Sequence, residues 1–181
     1  MRRWATGAMV ALTLAFSAGA AHAVGVGVSA FGGMSFPILQ DDVGSGSQFG
    51  VRVPVKVVPL VTVEPFYASS ALGDKTEDFA GLSYTRDGGK MTSFGANVLL
   101  TTGGPVSFYP FVGITSQKWT REGSSDLNEA GWNFGLGVGF APMPKFGVDV
   151  RGELNMMTTG DTSRKYANAT VGVTYHLPFG L

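Results

Sequence analysis

Ala167-Asn168-Ala169-Thr170-Val171-Gly172-Val173-Thr174-Tyr175-His176-Leu177 sorts its side chains into two sets. The odd positions are apolar or aromatic, and the even ones are Asn168, Thr170, Gly172, Thr174 and His176. A β-strand sends successive side chains to opposite faces of its sheet, so one face here is greasy and the other polar. Two faces of such different character need two different surroundings. The charged residues elsewhere in the chain say which surrounding lies where.

Seven further runs repeat the period: about 24–37, 48–58, 61–71, 90–101, 106–118, 131–141 and 146–157, with 166–177 as the eighth. Phe49, Val51, Val53, Val55 and Val57 oppose Gln48, Gly50, Arg52, Pro54 and Lys56. Trp132, Phe134, Leu136, Val138 and Phe140 oppose Asn133, Gly135, Gly137 and Gly139. Phe146, Val148, Val150, Leu154 and Met156 oppose Asp149, Arg151, Glu153 and Asn155, and Glu64 joins the polar face of its own run. The expected fold is all-β: an eight-stranded antiparallel up-and-down transmembrane barrel, apolar outside, with its lumen filled by side chains.

Energy decides the facing. A basic side chain turned to hydrocarbon at mid-depth costs roughly 2–4 kcal/mol, a carboxylate less. Turning Arg52, Lys56, Glu64, Asp149, Arg151 and Glu153 outward together would exceed much of the about 5–15 kcal/mol that stabilises a typical domain. They are therefore expected in the lumen, as a paired network of three bases and three acids. Pairing matters because an uncompensated buried charge is strongly destabilising. The hairpin turn near Pro59 predicts Glu64 diagonally between Arg52 and Lys56, with the charges of 146–157 completing the network from across the barrel. Tyr109 and Phe111 share the inward parity and are expected to pack against the glycines of 131–141.

The connections alternate in length. Ile38 to Ser47, Leu72 to Gly89, Trp119 to Ala130 and Thr158 to Lys165 read as long and polar; Pro59-Leu60, Thr102 to Pro105 and Pro142 to Lys145 read as tight. Short periplasmic turns and longer external loops are the pattern of outer-membrane barrels. Phe79 to Arg86 reads as a hairpin extension of the second long loop, because a ninth strand would reverse the side of every later connection. Pro54, Pro65 and Pro110 lie inside the runs, where the missing donors predict ladder breaks. Phe108, Phe140, Phe146 and Tyr175 are expected at the periplasmic rim, and Phe36, Tyr67 and Trp132 at the external one.

Arg2 and Arg3, the apolar run Met9 to Ala20, and Ala21-His22-Ala23 form the pattern of a cleaved export signal. The run is shorter than the roughly 20 residues of a spanning helix. Residues 1–23 are thus expected to be removed, leaving 24–181 as one barrel domain. Thirteen Lys and Arg balance thirteen Asp and Glu, so no nucleic-acid footprint is expected. Cysteine is absent, which excludes disulfides and thiolate chemistry.

In Gly33-Met34-Ser35-Phe36-Pro37, Phe94-Gly95-Ala96-Asn97-Val98 and Tyr109-Pro110-Phe111-Val112-Gly113 the chain resembles the OmpA-like outer-membrane β-barrel domain family, in its minimal form. The resemblance covers most of residues 24–181. It implies an outer-membrane location in a Gram-negative-type bacterium, and a last strand carrying the assembly signal read by the barrel-insertion machinery. Thr170, Gly172, Tyr175 and Leu177 occupy that pattern, although the chain continues to Leu181 rather than stopping on an aromatic residue.

No catalytic set stands out. His176 is the single histidine after the leader, no serine lies near it in sequence, and Glu64, Asp149 and Glu153 come with balancing bases. Asp41-Asp42 and Asp74 with Glu77-Asp78 lack the spacing of a calcium loop. The expectation is a protein that is not an enzyme and needs no metal or cofactor. Its barrel anchors it in outer-membrane lipid, and its external loops, Leu72 to Gly89 first among them, meet an outside ligand or surface. Two alternatives stay open: a narrow, porin-like conduit for small, including hydrophobic, molecules, and a soluble periplasmic barrel with the inverse facing.

Overall fold

The structure, a computed structural model, describes residues 25–38, 43–79, 82–102, 104–121, 126–159 and 162–178. The expected leader, 1–23, lies outside the described residues. The segments are β1 (Gly25–Ile38), β2 (Gly44–Arg52), β3 (Val55–Val58), β4 (Val61–Gly73), β5 (Lys75–Phe79), β6 (Leu82–Arg86), β7 (Lys90–Leu100), β8 (Val106–Thr120), β9 (Leu127–Met143), β10 (Phe146–Thr159) and β11 (Thr162–Leu177).

Nine of the segments make one antiparallel sheet that closes on itself through β11 and β1, paired from Val26↔Leu177 to Ile38↔Lys165. β2 and β3 are two parts of a single pass split at Val53-Pro54, so the wall is a closed barrel of eight passes. Closure removes the unpaired edge that an open sheet would present. One end, the turn end, holds Gly25, Leu177 and the short connections at Pro59-Leu60, residues 101–105 and Pro144-Lys145. Gly104 takes a φ of +114° in the second of these, a conformation that favours glycine.

At the opposite, loop end, β5 and β6 form a separate two-stranded ribbon, from Lys75↔Arg86 to Phe79↔Leu82. The stretch Phe79 to Arg86 therefore belongs to a loop hairpin and not to the wall. The loops at this end are shorter than their polarity predicts. β10 and β11 stay paired up to Thr159↔Thr162, so the expected connection from Thr158 to Lys165 shrinks to residues 160–161. β8 and β9 likewise extend to Trp119↔Leu127. Apolar alternation marks only the part of a strand that touches hydrocarbon. The hydrogen-bonded ladder continues past that boundary, where hydroxyl and charged residues serve equally well on both faces.

The prolines act as their missing donors require. Pro54 lies in the split between β2 and β3, and the ladder of β4 with them skips from Phe66 to Val63 opposite Pro65. The β7–β8 ladder ends at Leu99↔Phe111, one residue before Pro110, while the β8–β9 ladder runs through Pro110↔Leu136.

Facing follows the period of two. Phe49, Val51, Phe94, Val112, Leu136, Val138, Val150, Val171 and Val173 are exposed on the outer surface, and Arg52, Glu64, Asp149 and Arg151 are buried. Phe108, Phe140, Phe146, Tyr175, Phe36, Tyr67 and Trp132 all face outward. Leu136→Arg puts a guanidinium on that outer face at mid-strand. It is expected to destabilise the vesicle-inserted barrel by about 2–4 kcal/mol in urea unfolding; an unchanged midpoint would mean that this face does not meet hydrocarbon.

Candidate functional site

The interior has three zones. Nearest the turn end is a network of ions to which each of the eight passes contributes. Arg151, on β10, donates from Nη1 and Nη2 to the two carboxylate oxygens of Glu64, on β4, at 2.5 and 2.8 Å. This is the bidentate fork that guanidinium and carboxylate geometry favour. Its Nε–H is shared between Asp149 Oδ2 at 2.7 Å and the Tyr109 hydroxyl at 2.9 Å. Arg52, on β2, donates from Nη1 to Asp149 Oδ2 at 3.2 Å and from Nη2 to Thr170 Oγ1, on β11, at 2.9 Å.

The remaining passes close the ring. The Arg52 guanidinium lies over the Phe31 ring of β1 at 3.7 Å, and Arg151 lies 5.1 Å from the Tyr109 ring centroid. Asn97 of β7 donates to Glu64 Oε1 at 3.5 Å and accepts from Asn133 of β9 at 2.7 Å. Glycines make room for the rings: a Cβ at Gly137 would fall on Tyr109, and one at Gly135 on Phe111. Arg52, Glu64, Asp149 and Arg151 have 7 % exposure or less, so their charges are matched by one another and not by water.

The six residues predicted for the lumen divide into three groups. Arg52, Glu64, Asp149 and Arg151 meet in one ion-paired cluster. Glu153 is hydrogen-bonded by Asn155 at 2.5 Å, above that cluster. Lys56 stands below it, toward the turn end, and makes no ion pair among the described residues. Glu64 was expected beside Arg52 and Lys56 on the adjoining pass. The register does set it between them, since Arg52 pairs with Phe66 and Lys56 with Thr62, but its hydrogen-bonding partner is Arg151 from across the lumen. Phe31, Asn97, Tyr109, Asn133 and Thr170 complete the network. Only inward parity could have flagged them in the sequence, and parity does not name a partner.

Thr170 and Gly172, read as part of an assembly signal, both touch this network. Thr170 holds Arg52, and a Cβ at Gly172 would sit 2.7 Å from Asp149 Oδ1. Tyr175 points outward and meets Phe146 edge-on with ring centroids 5.3 Å apart; Leu177 ends β11 on the same face.

The middle zone is polar, with Ser35, Gln48, Ser70, Ser93, Gln117, Asn155 and Asn168 buried in it and Glu153 reaching it through its bond with Asn155. Ser35 Oγ, Gln48 Oε1, both side-chain amide atoms of Gln117 and Asn168 Oδ1 make no hydrogen bond with another group among the described residues; groups so buried are ordinarily matched by ordered water. At the loop end an apolar cap of Val43, Leu72, Met91, Trp119 and Tyr166 closes the lumen. Trp119 Nε1 donates to the Gly88 carbonyl at 3.2 Å, and the Arg164 guanidinium lies 3.8 Å from the Trp119 ring centroid. Gly89, at φ +79°, turns the chain out of the hairpin into β7, and its carbonyl accepts from Leu72 N at 3.0 Å. The cap thus seats the hairpin as well as sealing the interior.

A family model described as outer membrane protein beta-barrel domain matches residues 6–176. No curated protein matches the chain. Among solved structures, Neisserial surface protein A is similar with a TM-score of 0.67 and 16 % identity, over 83 % of this chain and 96 % of that one. The N-terminal barrel of Pseudomonas aeruginosa OprF is similar with 0.55 and 14 %, over 83 % and 97 %. Yersinia pestis Ail, the attachment invasion locus protein, is similar with 0.53 and 17 %, over 84 % and 99 %. At these identities the likeness is one of fold.

Proposed function

This chain belongs to the outer membrane protein β-barrel domain family, and on that footing we propose that it is a surface-interaction protein, anchored by its barrel and making contact through its loop end. In this reading the turn end faces the periplasm of a Gram-negative-type bacterium. The export signal is removed, and the insertion machinery reads Thr170, Gly172, Tyr175 and Leu177.

The observation that carries the proposal is the β5–β6 hairpin. Isolated two-stranded ribbons are marginal in water, yet this one is tied down at its base and along its length. Asp74 Oδ1 accepts from Gly88 N at 3.0 Å, Thr76 and Thr85 share a hydrogen bond at 3.0 Å, and Ser83 donates to Asp78. Its cross-strand pairs put Lys75, Arg86, Glu77, Tyr84 and Leu82 on one face, with Leu82 76 % and Tyr84 65 % exposed. A built projection with an amphipathic, aromatic face is a contact surface. Two of the similar structures bear names of surface or attachment proteins, which agrees with this reading.

The braced and capped lumen weighs against the alternative of a narrow conduit. Replacing residues 75–86 by a short Gly-Ser linker is expected to leave a folded, heat-modifiable barrel and to abolish attachment of expressing cells to the surfaces that the intact protein binds. Attachment that survives the deletion would defeat the proposal.

A further inference from the structure

Below the ion network the barrel opens at the turn end into a cavity of about 530 Å³, with Glu64, Tyr109, Asp149 and Arg151 forming its floor. Cavities of roughly 300–1,000 Å³ hold small ligands. The floor is neutral, since its two carboxylates accept from Arg52 and Arg151. Between floor and rim, the described residues that line the cavity supply bases only, Lys56 and His176, with no carboxylate.

Lys56 and His176 flank the same strand from opposite sides. Lys56 pairs with Gly25 of β1, and His176 pairs with Gly27. Gly27 is covered by the side chains of Thr174 and Pro54, 2.9 and 3.2 Å from a Cβ built there, and His176 Nε2 lies on the Gly147 side, 3.4 Å from a Cβ at that glycine, so the bare backbone is that of Gly25. A Cβ built at Gly25 meets nothing within 4 Å, so the space in front of it is open. His176 is seated by a backbone hydrogen bond to Lys145 O at 2.8 Å, and Gly27 by one to Pro54 O at 2.8 Å. Among the described residues neither basic side chain has an anionic partner. Hydroxyls of Thr62, Thr101, Ser107 and Thr174 stand around the gap.

We propose that this vestibule binds a small soluble oxyanion, a phosphate or carboxylate group, drawn by Lys56 and His176 into the open space before Gly25. Between the neutral floor and the rim the ionisable lining among the described residues is basic only, hydroxyls surround it, and the volume suits a compact solute. Lipid headgroups carry the same chemistry, but they lie outside the apolar wall, whereas this cavity opens along the barrel axis.

After removal of the leader, His176 is the chain's one remaining histidine, which makes its imidazole a single nuclear magnetic resonance probe. The full barrel in an uncharged maltoside detergent, at constant pH, is titrated with inorganic phosphate and, separately, with acetate. A saturable shift of the His176 signals is expected with at least one of them. Lys56→Gln is expected to weaken binding about tenfold, the equivalent of about 1.4 kcal/mol. Gly25→Leu, which fills the open space without removing a charge, is expected to abolish it, with heat-modifiability reporting that both variants fold. Nanodiscs with and without phosphatidylglycerol, free of added anion, distinguish the lipid source. A response that never saturates, equal affinity in both variants and wild type, or full reproduction of the shift by phosphatidylglycerol alone would each overturn the proposal.

Discussion

Arg151→Met is expected to destabilise the folded barrel by about 3–5 kcal/mol, because it strands Glu64 without a partner in a buried site. Glu64 is 0 % exposed and takes both of its strong hydrogen bonds from Arg151. Asp149 would lose its shorter contact, 2.7 Å from Arg151 Nε, and keep only Arg52 at 3.2 Å. The cost arises from the orphaned carboxylate more than from the lost attraction. Glu64→Met combined with Arg151→Met is therefore expected to recover most of the stability, since an apolar pair of similar volume is often neutral against a buried ion pair. Urea titration of the vesicle-inserted barrel, followed by tryptophan fluorescence, measures all three proteins. A single variant within about 0.5 kcal/mol of wild type, the range of ordinary surface changes, would mean that the charges find water in the lumen.

Trp119→Ala should cost about 3–5 kcal/mol, the range for truncating a large aromatic in a packed core. The indole is 4 % exposed among Val43, Leu72, Met91 and Tyr166, and it carries the hydrogen bond that holds Gly88. Trp119→Phe keeps much of the packing and loses the donor, for which about 1 kcal/mol is expected. Since Gly88 is the base of the hairpin, both variants should also speed tryptic cleavage at Lys75, Arg86 and Lys90, the alanine variant more than the phenylalanine one. Equal cleavage rates in wild type and both variants would show that the cap and the hairpin are independent. The ion network lies on the far side of the polar zone, so neither substitution is expected to disturb the pairing of Arg151 with Glu64.

Much of this architecture was legible in the chain. Alternation located all eight passes, and the cost of charge in hydrocarbon turned Arg52, Glu64, Asp149 and Arg151 inward. Pro54 and Pro65 marked the place where the wall is split. The loop-end strand extensions were not legible, because Thr158, Thr159 and Thr162 read equally as loop or as strand in water. The cap was hidden for a related reason. Leu72, Met91, Trp119 and Tyr166 come from separate connections and strand ends, and nothing in their local spacing distinguishes a plug from a lipid-facing girdle.

Residue order alone established which side of each strand is greasy, and so the membrane-spanning barrel, because side-chain direction in a strand is a local property with a period of two. Closure of the sheet established who meets whom. Glu64 binds Arg151 rather than its neighbours on the next pass, Thr170 holds Arg52, and Lys56 and His176 come to flank β1 opposite Gly25 and Gly27. Partnership across a lumen depends on strand tilt and on the stagger with which the first strand joins the last, and both are properties of the whole cylinder.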